Sequence, residues 1–125
     1  YLDMKDIPLV CPSNLIEEMK IDKELINKVN YDCFISEKKL NIQSNKCFIP
    51  HVQSLCFCLS YMYASGYRNI IIIGAQGFEL SSKNFEAIDC LNKLRINYPD
   101  LEITSLNPNA LGLPSKSIFE LCNLE

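Results

Sequence analysis

His51 is the only imidazole in the chain, and it stands just before an apolar, helix-like stretch. Such a ring can take or give a proton near neutral pH, which makes it the one candidate general base. No carboxylate lies near it in sequence to orient the ring, so a partner has to come from elsewhere in the fold. A histidine that only decorates a helix start is the competing reading. Further on, Gly74-Ala75-Gln76-Gly77-Phe78 follows a run of isoleucines. Its Gly-x-x-Gly spacing is half of a phosphate-binding turn: it is not Gly-x-Gly-x-x-Gly, and no Lys-Ser/Thr follows. Two glycines also suffice to close a tight strand-to-helix turn. On the functional reading, free backbone N–H groups there receive a phosphate or a sugar hydroxyl. Gln53, Ser54, Gln76, Asn107 and Asn109 add neutral donors and acceptors suited to sugar hydroxyls, and Arg68 is the one basic residue near these segments in sequence. The carboxylates Glu17, Glu18, Glu86 and Asp89 read as solvated charges on helix faces. Ser54 and Ser60 lack a Gly-x-Ser-x-Gly context. The sequence shows no complete catalytic constellation.

Seven cysteines remain: Cys11, Cys33, Cys47, Cys56, Cys58, Cys90 and Cys122. Their number is odd, there is no Cys-x-x-Cys, and most lie within apolar runs. Cys56 and Cys58, two apart in a helical stretch, point away from each other. Paired ligand spacing for zinc is missing, so no metal site is expected. Buried free thiols in a reducing cytoplasm are the expectation. The 125 residues are 48% hydrophobic and 22% charged, enough for one core. Twelve basic against fifteen acidic residues leave a net charge of −3, which argues against nucleic acid or anionic lipid as partner. No apolar run, Ile70 to Ile73 included, approaches the roughly 20 residues of a membrane span. The chain opens Tyr1-Leu2-Asp3 with no basic or apolar leader, and reads as one α/β domain over 1–125, cut from a longer polypeptide, with Met4 the alternative start.

The positioning elements follow from periodicity. Ile7 to Val10 reads as a strand, Leu15 to Lys20 as a helical turn or loop, and Asp22 as the N-cap of a helix reaching about Asn30. Tyr31 to Ile35 reads as a strand; Lys38–Ile42 and Lys46–Ile49 form a hairpin around Gln43-Ser44-Asn45, ended by Pro50. Val52 to Ser65 is a helix apolar on nearly every face, stopped by Gly66. Ile70 to Ile73, without alternation, reads as a strand buried on both faces in the middle of a parallel sheet. A helix from Ser81 or Ser82 to about Asn97, supported by Asp89 and Lys93 at i,i+4, leads to a strand over Leu101–Leu106. Asn107-Pro108-Asn109 then turns the chain, and a short last turn runs from Ser115 to Cys122. The alternation predicts a three-layer, Rossmann-like α/β domain with a mainly parallel sheet and a small hairpin. Ile70–Ile73 should run parallel to Leu101–Leu106. In such a sheet ligands sit beyond the strands' carboxyl ends, where Pro50–Ser54, Gly74–Phe78 and Asn107–Asn109 should converge.

Four stretches carry a resemblance. Cys47-Phe48-Ile49-Pro50 precedes the apolar helix, and Tyr67-Arg68-Asn69-Ile70-Ile71-Ile72-Ile73-Gly74-Ala75-Gln76-Gly77-Phe78 follows it. Ile103-Thr104-Ser105-Leu106-Asn107-Pro108 and Lys116-Ser117-Ile118-Phe119 close the pattern. Together they resemble the C-terminal domain of bacterial 4-hydroxy-2-oxovalerate aldolase-like (HMGL-like) proteins encoded with surface-polysaccharide genes, a domain found behind an aldolase barrel. Its strand-loop is similar in turn to that of bacterial sialyltransferase-like domains. The resemblance spans Asp32 to Phe119. That family usually has an acid where Gln76 stands and Asn where His51 stands. The barrel with its metal ligands has no counterpart in these residues. The resemblance therefore implies a surface-glycan context more directly than a reaction.

Three functions compete. One is an accessory domain binding a sugar, sugar phosphate or nucleotide sugar, without a cofactor of its own. Another is a sialyltransferase-like glycosyltransferase with His51 as base. The third is a structural or homo-oligomerisation module of a longer chain, using the Lys38–Ile49 hairpin edge and Tyr61, Tyr63 and Tyr67.

Overall fold

Alternation of inward and outward side chains builds the first sheet. The computed structural model describes residues 9–20, 29–37, 39–75 and 82–123. Strand β1 (Leu9–Val10) is followed by helix α1 (Ser13–Glu18) and strand β2 (Val29–Ile35). Along β2, Tyr31 and Cys33 point inward and are buried. The carboxylate of Asp32 accepts the Ser13 N–H at 2.8 Å and the Cys33 N–H at 2.7 Å. It thereby caps α1 from outside, which Pro12 at the N-cap position cannot do with its own side chain. Strands β3 (Asn41–Ile42) and β4 (Lys46–Ile49) form the hairpin, closed by the Gln43 N–H on the Lys46 carbonyl at 2.8 Å. In β4, Cys47 and Ile49 are buried, while Phe48 stacks on Phe34 of β2 with centroids 5.6 Å apart. β1 and β4 both pair parallel to β2, with Cys33 opposite Cys47 and Ile35 opposite Ile49.

Helix α2 (Ser54–Ala64) ends where glycine was expected to end it. Gly66 adopts φ +99, its N–H bonds the Tyr63 carbonyl at 3.0 Å, and the Tyr67 N–H reaches back to the Met62 carbonyl at 3.1 Å. This is the paired arrangement that satisfies the last carbonyls of a helix. Strand β5 (Asn69–Ile72), helix α3 (Ser82–Asn97) and strand β6 (Glu102–Ser105) follow, with β5 and β6 parallel and Ile70 opposite Ile103. Helix α4 (Ile118–Cys122) opens on a reciprocal cap between Ser117 and Glu120.

The expected three-layer, Rossmann-like domain on one mainly parallel sheet is not what forms. The strands divide into a four-stranded mixed sheet, ordered β1-β2-β4-β3, and a separate two-stranded sheet of β5 and β6. The hairpin is the physical reason. β3 folds back antiparallel onto the edge of β4 that a further parallel strand would have used. On its other side the Ile42 N–H donates to the Tyr98 hydroxyl at 2.8 Å rather than to another strand. β5 is therefore an edge strand, and the expectation that Ile70–Ile73 is buried on both faces fails. Ile70 is 3% exposed, but Ile71 and Ile73 are 45% and 73% exposed. Val29 and Asn30, expected at a helix end, begin β2; the Asp22 helix start lies outside the described residues. α2 buries only one face fully, through Cys56, Leu59 and Ser60, and leaves Cys58 exposed.

Both sheets share one hydrophobic cluster. Tyr31, Cys47 and Ile49 of the first meet Ile70 and Ile103 of the second through Leu59 of α2 and Cys90, Leu91 and Leu94 of α3. All seven cysteines are free thiols, and Cys33, Cys47, Cys56 and Cys90 are buried. Among the described residues no helix is long and apolar enough to cross a membrane.

Candidate functional site

The carboxyl end of β4 delivers His51 onto α3. Pro50 is buried and ends the strand, and the next residue turns its ring toward the helix. His51 Nε2 lies 2.8 Å from Asp89 Oδ2, and Lys93 Nζ, one turn along α3, lies 2.8 Å from the same oxygen. Gln53 reaches α3 one turn earlier, its amide donating to Glu86 Oε2 at 3.3 Å. Around these groups lies a cleft of about 460 Å³, lined by Ile35, Glu37, Pro50, His51, Val52 and the α3 residues Glu86, Asp89 and Lys93. It shares Ile35 and Val52 with a smaller, mostly apolar cavity of about 120 Å³ that reaches Gln53, Ser54 and Phe57 at the start of α2.

Electrostatics decide the protonation pattern. Hydrogen bonds from Lys93 and then His51 hold the Asp89 carboxyl below the ordinary carboxylate range, against a smaller opposing effect of burial. An ionised carboxylate only accepts, so the proton on this contact sits on Nε2, and in the neutral ring Nδ1 carries the lone pair. Among the described residues nothing hydrogen-bonds Nδ1, so in the neutral ring it is open to a ligand hydroxyl. Because the folded state lowers the Asp89 pKa, its contribution to stability is present above the unfolded value of about 4 and is lost as pH falls below it. Urea midpoints of the wild type and Asp89→Asn should therefore differ at pH 7 and converge in acid. A difference that persists undiminished in acid would contradict this assignment.

The residues singled out from the sequence fall into two groups. Gly74 (φ +83) donates its N–H to Asn107 Oδ1 at 3.4 Å, so the turns after β5 and β6 do meet. Ala75 packs against the core. Gln76, Gly77 and Phe78 lie outside the described residues. Asn109 spends its amide on its own loop: Oδ1 accepts the Leu111 and Leu113 N–H groups at 3.0 Å, and Nδ2 donates to the Leu113 carbonyl at 3.0 Å. His51 and Gln53 form the second group, together with α3, and Ser54 is the exposed first residue of α2.

Reading the sequence missed Glu37 and Lys93 as site residues and took Glu86 and Asp89 for solvated charges. The available signal was the spacing of Glu86, Asp89 and Lys93, at i, i+3 and i+7, which puts three charges on one stripe of an otherwise core-facing helix. Among the described residues no group of three or more His, Cys, Asp or Glu side chains is arranged to hold a metal ion. Compared with protein-family models, curated proteins and solved structures, the chain matches none.

Proposed function

We propose that this chain is an accessory binding domain for a sugar, seated in the cleft between His51 and α3 and serving a bacterial protein of surface-glycan assembly. The observation that carries the reading is the convergence of His51, Asp89, Lys93 and the Gln53–Glu86 pair on one cleft beyond the carboxyl end of β4. Its volume falls in the range of small-molecule sites, roughly 300–1,000 Å³. Carboxylates and a ring nitrogen accept from sugar hydroxyls, while Ile35 and Val52 offer an apolar wall to a ring face or a methyl substituent. The three carboxylates Glu37, Glu86 and Asp89 outnumber the basic groups Lys93 and His51, so the lining is acidic, which favours neutral sugar hydroxyls over a phosphate at this place. The glycan context rests on the family resemblance of residues 32–119.

NMR shift mapping with neutral monosaccharides, sugar phosphates and CMP-sugars tests the reading. Saturable shifts at Glu37, His51 and Asp89 are expected, with a Kd between roughly millimolar and tens of micromolar. Asp89→Asn should weaken binding about tenfold by removing a charged acceptor and releasing both His51 and Lys93. Binding that ignores this substitution, or no binding at all, removes the reading. Among the described residues β5 has β6 as its one neighbouring strand, and with Ile71 and Ile73 exposed this favours a second reading as an oligomerisation module. Sedimentation of the ligand-free protein separates the two.

A further inference from the structure

A second cleft, on the outer edge of β6, has its own chemistry. It measures about 550 Å³ and is lined by Arg95 and Pro99, by Leu101 to Thr104, and by Pro114 and Lys116. Three observations point to a ligand there. Thr104 is only 8% exposed, yet its hydroxyl makes no hydrogen bond among the described residues. Among the described residues no buried side-chain oxygen is sealed off without a partner, so this hydroxyl is not fully closed in, and Thr104 lines the cleft. A buried hydroxyl without a partner carries a desolvation cost that a ligand contact removes. Next, the Glu102 and Leu106 N–H groups bond Arg68 and Ile72 of the β5 side. Strand alternation then turns the Ile103 N–H the other way, toward the cleft. The neighbouring Ser105 is already tied to Pro114 and Lys116, so the open stretch of this edge is confined to the cleft. Finally, two cations, Arg95 and Lys116, stand against one carboxylate, Glu102. Arg95 uses one contact, on the Gly112 carbonyl at 3.4 Å, and neither cation is ion-paired among the described residues.

We propose that this cleft is a binding site for a small oxyanion, a phosphate or a carboxylate group, received by Arg95, Lys116, the Thr104 hydroxyl and the Ile103 N–H. Glu102 at the rim selects ligands that also carry a hydroxyl or amine. The site does not depend on the sugar cleft, which faces the other charged residues of α3.

Titration of the ¹⁵N-labelled chain with sodium phosphate, and separately with sodium acetate, tests the proposal, with sodium chloride at matched ionic strength as the control. Saturable shifts at the amides of Ile103, Thr104 and Lys116 are expected with at least one of the two anions, and which one saturates identifies the oxyanion. Thr104→Val keeps the shape and removes the hydroxyl; Arg95→Gln removes a charged fork at the surface. Each should weaken binding about tenfold, the effect of losing a hydrogen bond to a charged group. Should Thr104→Val fail to fold, Arg95→Gln and Lys116→Gln decide. Shifts that chloride reproduces, that do not saturate with either anion, or that survive Arg95→Gln unchanged overturn the site.

Discussion

Replacing Tyr31 with alanine should lower the free energy of unfolding by about 3–5 kcal/mol, the range for truncating a buried aromatic side chain. Tyr31 is 1% exposed, lies stacked on Phe57 with centroids 6.0 Å apart, and meets Tyr61 edge-on at 5.1 Å. Its hydroxyl donates to the Gln43 carbonyl at 3.3 Å, tying the middle of β2 to the hairpin turn. Burial, reinforced by the neighbouring Cys47 and Cys33 thiols, pushes the phenol well above its ordinary range, so it stays neutral wherever the fold persists. Tyr31→Phe keeps the rings and removes one long hydrogen bond, and should cost only about 1 kcal/mol. Urea unfolding of the two variants separates packing from polar contact. Equal losses in both would mean that the hydroxyl, not the aromatic cluster, carries this site. The effect bears on the sugar cleft too, because β2 ends at Ile35 and leads directly to Glu37 on the cleft wall.

Leu94→Ala should cost about 2–5 kcal/mol, a large part of the roughly 5–15 kcal/mol by which a domain is stable. Leu94 is 0% exposed in α3 and belongs to the cluster that joins the two sheets. Among the described residues no hydrogen-bonded ladder connects those sheets, so their mutual position rests on this apolar contact and on side-chain bonds such as Ile42 to Tyr98. Truncation should therefore loosen the two-stranded sheet against the rest as well as lower the midpoint. Asn92→Ala, on the exposed side of the same helix, should stay within about 0.5 kcal/mol. Hydrogen exchange provides the second readout: protection of Ile70 and Ile103 should fall more than that of Cys33 and Cys47. Uniform loss across both sheets would show that they unfold only as one unit.

Local elements were legible from the residues alone where the cause is local. Gly66 stops α2 because only its backbone can turn left-handed at that point without strain, and φ +99 is what it adopts. The hairpin around Gln43-Ser44-Asn45 and the parallel pair joined by α3 were readable from apolar periodicity and turn residues. So was the opposed placement of Cys56 and Cys58, two residues apart on one helix, though not that Cys58 is exposed. Tertiary structure alone decided the rest. Four isoleucines in a row specify a strand but not its neighbours; that β5 is an edge strand follows from β3 occupying the edge of β4, an event remote in sequence. The site was hidden for the same reason. Asp89 supported its helix locally through Lys93, and nothing local announces that His51, 38 residues away, ends on the same carboxylate oxygen. A side chain's helical role depends on its own turn, whereas its chemistry depends on which other element the core packs against that turn.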